Sequence, residues 1–479
     1  MGASIALAGF ASCRRPVQKI LPYAKQPEEI TPGVPLFYAS AMPFMGDLTG
    51  LVVENHEGRP TKIEGNRLHP ASLGATNEYN QAAILQLYDP DRSRYVINNG
   101  ENASHEDFQA FCKEYFADTG RTIAFVSEAN SSPTYNRIKA QALDKFPAAR
   151  WVTFEPFGED NILEGTNIAF GQRLRPVKHF DNASVIVSFD DNFLSASGDP
   201  ANVRNAKLFS RGRKVTSPED DMNRLYSVES TFSLTGSNAD NRLRIKSSEI
   251  ELFIYALAAR LSTNLAGLSG FSNYSNKFSG HEWIEALAEE LLDNQGTSLL
   301  TVGRDHKPEV HAAVAALNSA LGNTGATVTY HQLPFIEDQN NREAFRDLSD
   351  DLNNGTIDTV VIIGANPVFT APADLNFGEA LKNAEQVITL ADYVDETSKA
   401  STWHINRAHF LEAWGDGYSY TGARSVIQPQ IEPLFGGISE IEFLNTIVTG
   451  EESTGYDLVR QTWQSYYSSD FQNQWETIL

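Results

Sequence analysis

"TVVIIGANPVFTAPAD" (residues 359–374) opens with an unbroken apolar run, rich in valine and isoleucine, that stops at a glycine. A strand with one wet face would alternate apolar and polar residues. An uninterrupted run bounded by turn residues reads instead as a strand buried on both faces. The same pattern recurs in "TIAFVSEAN", "ASVIVSFDD", "SLLTVG" and "QVITLADYV". Between these runs lie stretches with helical apolar spacing: "SSEIELFIYALAARL", "HEWIEALAEELLD", "EVHAAVAALNSAL" and "REAFRDLSDDLNN". In the first, Ser248 and Glu251 have capping-box spacing. Buried strands alternating with helices predict α/β architecture, in several doubly wound domains.

In such sheets ligands bind beyond the carboxyl ends of the strands, so Gly364, Asn366 and Pro367 line a predicted cleft. Glycine permits close backbone approach, and asparagine offers donor and acceptor to a pterin or guanine edge. An Asn-Pro turn that merely starts the next helix accounts for the same residues.

The N-terminal part differs. "LFYASAMPFMGDLTGLVVENHEGRPTKIEGNRLHP" has short apolar runs and a turn at residues 56–58, with "TKIEGN" returning as a partner strand. This predicts a small antiparallel β unit. Residues 14–33 carry proline and charge without periodicity and read as a linker. The expected organisation is a leader and linker over 1–33, a β-rich domain over 34–95 and a discontinuous α/β domain over 96–170 and 297–435. An inserted α/β domain would span 171–296, and 436–479 would begin the connection to a further domain.

At 479 residues the chain exceeds one ordinary core. Its net charge of −23 argues against nucleic acid, because phosphate contacts need a basic surface. Such a surface would steer a cationic partner such as a basic electron-transfer protein, or simply be solvated.

With only two cysteines, Cys13 and Cys112, no four-cysteine metal site can be built. Cys112, in "EDFQAFCKEYF", reads as a buried core thiol on a helix. Cys13 follows "MGASIALAGFAS", an apolar stretch ending in small residues, a lipobox-like arrangement in which the cysteine would be acylated. The Arg14–Arg15 pair follows the apolar stretch and so cannot be a twin-arginine export signal; such a signal would lie upstream of Met1.

Catalytic signatures are missing. There is no G-x-x-x-x-G-K-[ST], no G-x-G-x-x-G after a strand, no G-x-S-x-G and no H-E-x-x-H. His306/His311 and His404/His409 are five apart, which does not place two rings on one helix face. His69, before Pro70 in "GNRLHPASLGATN" (residues 65–77), reads as a ring bonded to backbone.

The order of segments resembles the molybdopterin oxidoreductase family of the dimethyl sulfoxide reductase type. "GLVVENHEGRPTKIEGNRLHPASLGATN" followed by "LQLYDPDRSRY" is similar to its opening, and "VIIGANPVFTAPAD" to its cofactor loop. "LADYVDETSKASTWHINRAHFLEAWGD", with Glu396 and Thr397, resembles its later run. Within the family, "FEPFGEDNILEGTNIAFG", "SFDDNFLSASGDP", "MNRLYSVESTFSLTGSNADNRLRIKSSEI" and "EAWGDGYSYTGARSVIQPQIEPL" resemble the molybdopterin-like half of the B subunit of bacterial alternative complex III.

The resemblance implies a molybdopterin-oxidoreductase-like fold. Departures matter as much. Where active relatives place an iron–sulfur cysteine, residues 74–77 read Gly-Ala-Thr-Asn. Near residues 156–161, where they supply a metal ligand, only Asp160 is suitable.

The resemblance therefore implies a cofactor-less scaffold in a membrane quinol:cytochrome c, or high-potential iron–sulfur protein, oxidoreductase. Iron–sulfur clusters would lie in an adjoining domain, with other iron–sulfur and cytochrome subunits as partners. The chain would be lipid-anchored through Cys13 on the periplasmic side of the inner membrane. Gly364, Asn366, Pro367, Glu396 and Thr397 would be a vestigial pocket. One alternative is an active molybdenum or tungsten bis-molybdopterin enzyme with Asp160 on the metal; another is an exported small-molecule binding protein.

Overall fold

A computed structural model describes residues 27–195, 199–334, 340–467 and 470–479. Cys13 and the leader over residues 1–26 lie outside the described residues. All five apolar runs are strands buried along nearly their whole length: Ile123–Ser127, Val185–Phe189, Ser298–Val302, Thr359–Ile363 and Gln386–Ala391. Tertiary burial on both faces is what an uninterrupted valine and isoleucine run requires.

They divide between two sheets. The larger has seven strands in the order Glu101–Ala103, Val96–Asn98, Trp403–Asn406, Gln386–Ala391, Thr359–Ile363, Ile123–Ser127, Arg150–Thr153. Its last five are mutually parallel, and Val96–Asn98 joins antiparallel on Trp403–Asn406. The smaller sheet, all parallel, runs Asn241–Arg244, Arg224–Glu229, Val185–Phe189, Ser298–Val302.

The predicted β unit is a three-stranded antiparallel sheet of Leu36–Phe44, Asp47–His56 and Arg59–Gly65. Its second reversal uses Glu57 and Gly58, both at positive φ, within the expected turn.

One expected boundary is corrected by pairing. Ser298–Val302, assigned from sequence to the discontinuous domain, bonds in parallel register to Val185–Phe189. Val328–His331 pairs with Arg175–Lys178, and helix Pro308–Ala320 packs on helices Asp160–Phe170 and Ser247–Leu261. The inserted unit thus extends well past residue 296. An apolar run carries no mark of which sheet it joins.

The tail of the chain is corrected too. Ile441, Phe443, Leu444, Leu458, Trp463 and Trp475 belong to the core of the seven-stranded sheet, so the described residues of 436–479 pack as part of that unit. Helix Ser247–Leu261 begins one residue before the expected cap: Glu249, not Glu251, reaches back, accepting the Lys246 N–H at 3.3 Å. Cys112 is buried in the same core, and burial pushes its thiol far up.

Candidate functional site

In the seven-stranded sheet the chain leaves Ile123–Ser127 toward one edge and Thr359–Ile363 toward the other. The two strands are neighbours, so their carboxyl ends form the topological switch point, where open α/β sheets open a crevice. That crevice, about 120 Å³, is lined by Glu128, Ser131, Arg407, Trp414 and Glu440 among others. Arg407 follows strand Trp403–Asn406 and anchors its N–H on Ala391 O at 3.0 Å. Its guanidinium is 2.5 Å from Glu440, 3.5 Å from Asp392 and 3.8 Å from Glu128.

Glu440 is held at the start of helix Glu440–Thr449, where Ser439 and Glu442 form a capping box, and it accepts Asn130 Nδ2 at 2.6 Å. Glu128 is about half accessible to the crevice (48%). Protein packed around the carboxyl strips it of part of its water and pushes it upward; Arg407 opposes this, while Glu155, Glu440 and Asp392 add to it.

The five residues of the expected pocket separate into two arrangements. Gly364, at φ +76°, follows the crevice-lining Ile363 and lies beneath Arg407 and Glu128. Asn366, Glu396 and Thr397 satisfy one another. Asn366 Nδ2 donates to Glu396 at 2.8 Å, and Asn366 Oδ1 accepts from the Thr397 hydroxyl at 2.7 Å. Thr397 Oγ1 in turn accepts the Val368 N–H at 3.1 Å, fixing the short helix Pro367–Thr370 that buried Pro367 begins. This is the turn-and-cap use of an Asn-Pro pair.

Asp160 starts helix Asp160–Phe170, 3.5 Å from Arg173 Nη2 and 3.4 Å from the Asn341 N–H. In the 65–77 turn, His69 Nδ1 accepts the N–H groups of Gly50 and Ala71, each at 3.3 Å. Ser72 Oγ reaches Gly50 O and Asn66 O at 3.0 Å, and Lys207 binds Leu73 O at 2.7 Å. The turn is thus a packed joint between the β unit and the inserted unit.

Of the histidine pairs, His404 lies between the Ser93 and Ser398 hydroxyls, and burial pushes it down to about 4. His306 is 3.5 Å from Asp190. Among the described residues no cluster of three or more His, Cys, Asp or Glu is placed to hold a metal ion.

The smaller sheet has its own switch point between Val185–Phe189 and Ser298–Val302. The crevice beyond it, about 470 Å³, is lined by Asp190, Asp191, Asp199 and Asp305 against Lys178, Arg304 and His306. In both crevices a carboxylate of the chain occupies a strand-end donor. Glu155 takes the Ala129 N–H at 2.8 Å, and Asp190 takes the Ser230 N–H at 2.7 Å.

A phosphate-bearing pterin needs such donors free and a positive field. The first crevice is also smaller than the roughly 300–1,000 Å³ of ordinary ligand sites.

Buried charges that sequence reading missed hold the units together. Asp47 accepts the N–H groups of Leu48 (2.6 Å) and Tyr420 (2.8 Å), and burial raises its carboxyl to about 7 against the pull of Arg175. Asp416 accepts from Ser132 and Thr134, and from Trp463 Nε1 at 2.9 Å. Arg92 and Glu412, both buried, meet at 2.6 Å. Only their partners in space distinguish these residues from solvated ones.

The chain is similar in structure to acetylene hydratase from Pelobacter acetylenicus, with a TM-score of 0.64 and 12% sequence identity. The match covers 86% of this chain and 69% of that one. At that identity the likeness speaks for the fold alone, and the fold is molybdopterin-oxidoreductase-like. No family model matches the chain, and no curated protein matches it.

Proposed function

We propose that the chain is a cofactor-free scaffold with a molybdopterin-oxidoreductase-like fold, serving a membrane quinol-oxidising electron-transfer complex of the alternative complex III type. The single observation supporting it is that one strand-end N–H at each crevice is already taken by a carboxylate of the chain, that of Ala129 by Glu155 and that of Ser230 by Asp190. Those groups lie where an anionic cofactor would need donors.

In this reading the chain's role is mechanical. The seven-stranded unit, the inserted unit and the β unit present fixed surfaces to a neighbouring iron–sulfur domain and to cytochrome subunits. Electrons pass through those partners. The acidic surface suits a cationic redox partner. Acylated Cys13 would hold the chain at the periplasmic face of the inner membrane, consistent with the lack, among the described residues, of any helix long and apolar enough to cross a membrane.

The test is the content of protein purified from its native membrane: molybdenum and tungsten by mass spectrometry, pterin by fluorescence after oxidation. Background levels, with iron–sulfur and haem subunits co-purifying, are expected. Stoichiometric metal with pterin would overturn the reading and direct attention to Asp160.

A second reading, a small-molecule binding protein, draws on the 470 Å³ crevice of the inserted unit. Saturable binding of a nucleoside to that crevice by calorimetry, lost in Asp190→Ala, would favour it.

A further inference from the structure

Around the free edge of the four-stranded sheet, at Ser298–Val302, lies a chamber of about 70 Å³ that neither strand-end crevice includes. The edge itself is covered: the Asn318 amide takes both the N–H and the C=O of Leu300, at 3.1 and 2.9 Å. Beside it, four buried polar atoms lining the chamber have no hydrogen-bond partner among the described residues. They are Asn205 Oδ1, Thr301 Oγ1, His311 Nε2 and the Tyr420 hydroxyl. Their residues are 2%, 2%, 8% and 2% exposed. Each such group left dry costs about 1–3 kcal/mol, so four converging on one space imply that something fills it.

The four come from separate elements. Thr301 is on the edge strand, His311 on helix Pro308–Ala320, Asn205 on helix Asn202–Arg211, and Tyr420 in the turn of the hairpin Gly415–Tyr418/Arg424–Ile427. Asn205 Oδ1 is an acceptor, since its amide nitrogen donates to Asn202. His311 is bonded to backbone of Arg304 and His306, and burial keeps the ring neutral, leaving Nε2 as an acceptor. The two hydroxyls can donate or accept.

Charge is balanced at the chamber: Arg175 and Lys178 face Glu159 and Asp199, and Arg175 is already 2.8 Å from Glu159. An ion of either sign gains little there. Of the remaining lining, Thr166 and Asn318 are already bonded to backbone, and one side of the wall, with Leu300, Val302 and Val314, is apolar. Water against that wall finds no partner, whereas each buried water needs about three. A molecule with a carbon side and a hydroxyl side matches both walls. The space is that of roughly five waters, hence a molecule of about five or six heavy atoms.

We propose that this chamber is a binding site for a small neutral molecule carrying two or three hydroxyls on a short carbon frame. The inference is independent of the scaffold reading.

The test uses the full chain, purified without polyols and titrated with 1,2-propanediol by saturation-transfer NMR. Saturable binding is expected, at least tenfold weaker in Tyr420→Phe and in Thr301→Val. Tyr420→Phe removes only a hydroxyl and decides the matter if the strand variant does not fold. Non-saturable signal, equal binding by Tyr420→Phe, or a crystal at saturating diol with water alone in the chamber would overturn the proposal.

Discussion

Arg407 lies over the α-carbon of Gly364: a methyl group added to that glycine would stand 2.9 Å from Arg407 Nη1 and 3.0 Å from Glu128 Oε2. Glycine at a strand end ordinarily lets a ligand approach the backbone. Here the approaching group belongs to the chain itself.

Gly364→Ala should therefore destabilise twice over, through a left-handed φ of +76° and through contact with the guanidinium. We expect a loss of about 1–3 kcal/mol, read as a lower urea midpoint at unchanged m-value.

Arg407→Met removes the one cation among Glu128, Asp392 and Glu440. The cost should be on the order of 3 kcal/mol near neutral pH. Without the arginine the Glu128 carboxyl, already raised in the folded chain, rises further, so its contribution to stability is present at acid pH and lost as pH rises through the raised value. The deficit relative to the parent protein should shrink on acidification. A pH-independent deficit would contradict this account.

Asp47 gives a slope of known sign. Its folded-state value of about 7 exceeds the ordinary 3.8, so the native state holds a proton that the unfolded chain releases across that window. From this group, stability falls by about 1.4 kcal/mol per pH unit as pH rises between those values. Asp47→Asn keeps an oxygen for the Leu48 and Tyr420 N–H groups and should abolish that component, leaving the variant more stable than the parent at pH 8. Melting temperatures at pH 5 and pH 8 are the comparison.

Glu412 accepts Arg92 at 2.6 Å and the N–H groups of His409 (2.8 Å) and Leu434 (2.9 Å). Breaking the pair with Arg92→Met strands a buried carboxylate, at about 3–5 kcal/mol. Arg92→Met combined with Glu412→Gln should recover part of that loss, as a double-mutant cycle in urea would show.

Asp416→Asn replaces an acceptor that takes only donors by an amide with two hydrogens of its own. Ser132, Thr134 and Trp463 cannot all be served, and about 2 kcal/mol should be lost. Because Trp463 Nε1 is one of those donors and the ring is buried, its native-state emission should shift to the blue once the carboxylate charge beside it is gone.

Much of the architecture was legible because burial leaves a trace in local pattern. Thr359–Ile363 and Ile123–Ser127 have no wet face and therefore no polar alternation. Sheet membership was not legible. "SLLTVG" looks alike whether it pairs with Val185–Phe189 or with the larger sheet, and only long-range packing chooses.

The site was legible in part. Gly364 was found from its place after a strand, but Arg407, some forty positions later, lies in the quoted later run and nothing in its local pattern singles it out. Glu128, Asp47 and Asp416 share their one-letter codes with dozens of solvated acids. Their roles exist only as distances.

The pairing of Ile123–Ser127 with Thr359–Ile363 carries a kinetic consequence. The ends of these strands, joined where Thr122 N meets Asp358 at 3.0 Å, are 236 positions apart. Closing so long a loop from an unstructured chain is slow, and the search shortens greatly once the intervening unit has condensed. Assembly of the larger sheet should wait on the smaller one, so a lesion inside the inserted unit would delay burial of Trp151 and Trp403 on strands it never touches.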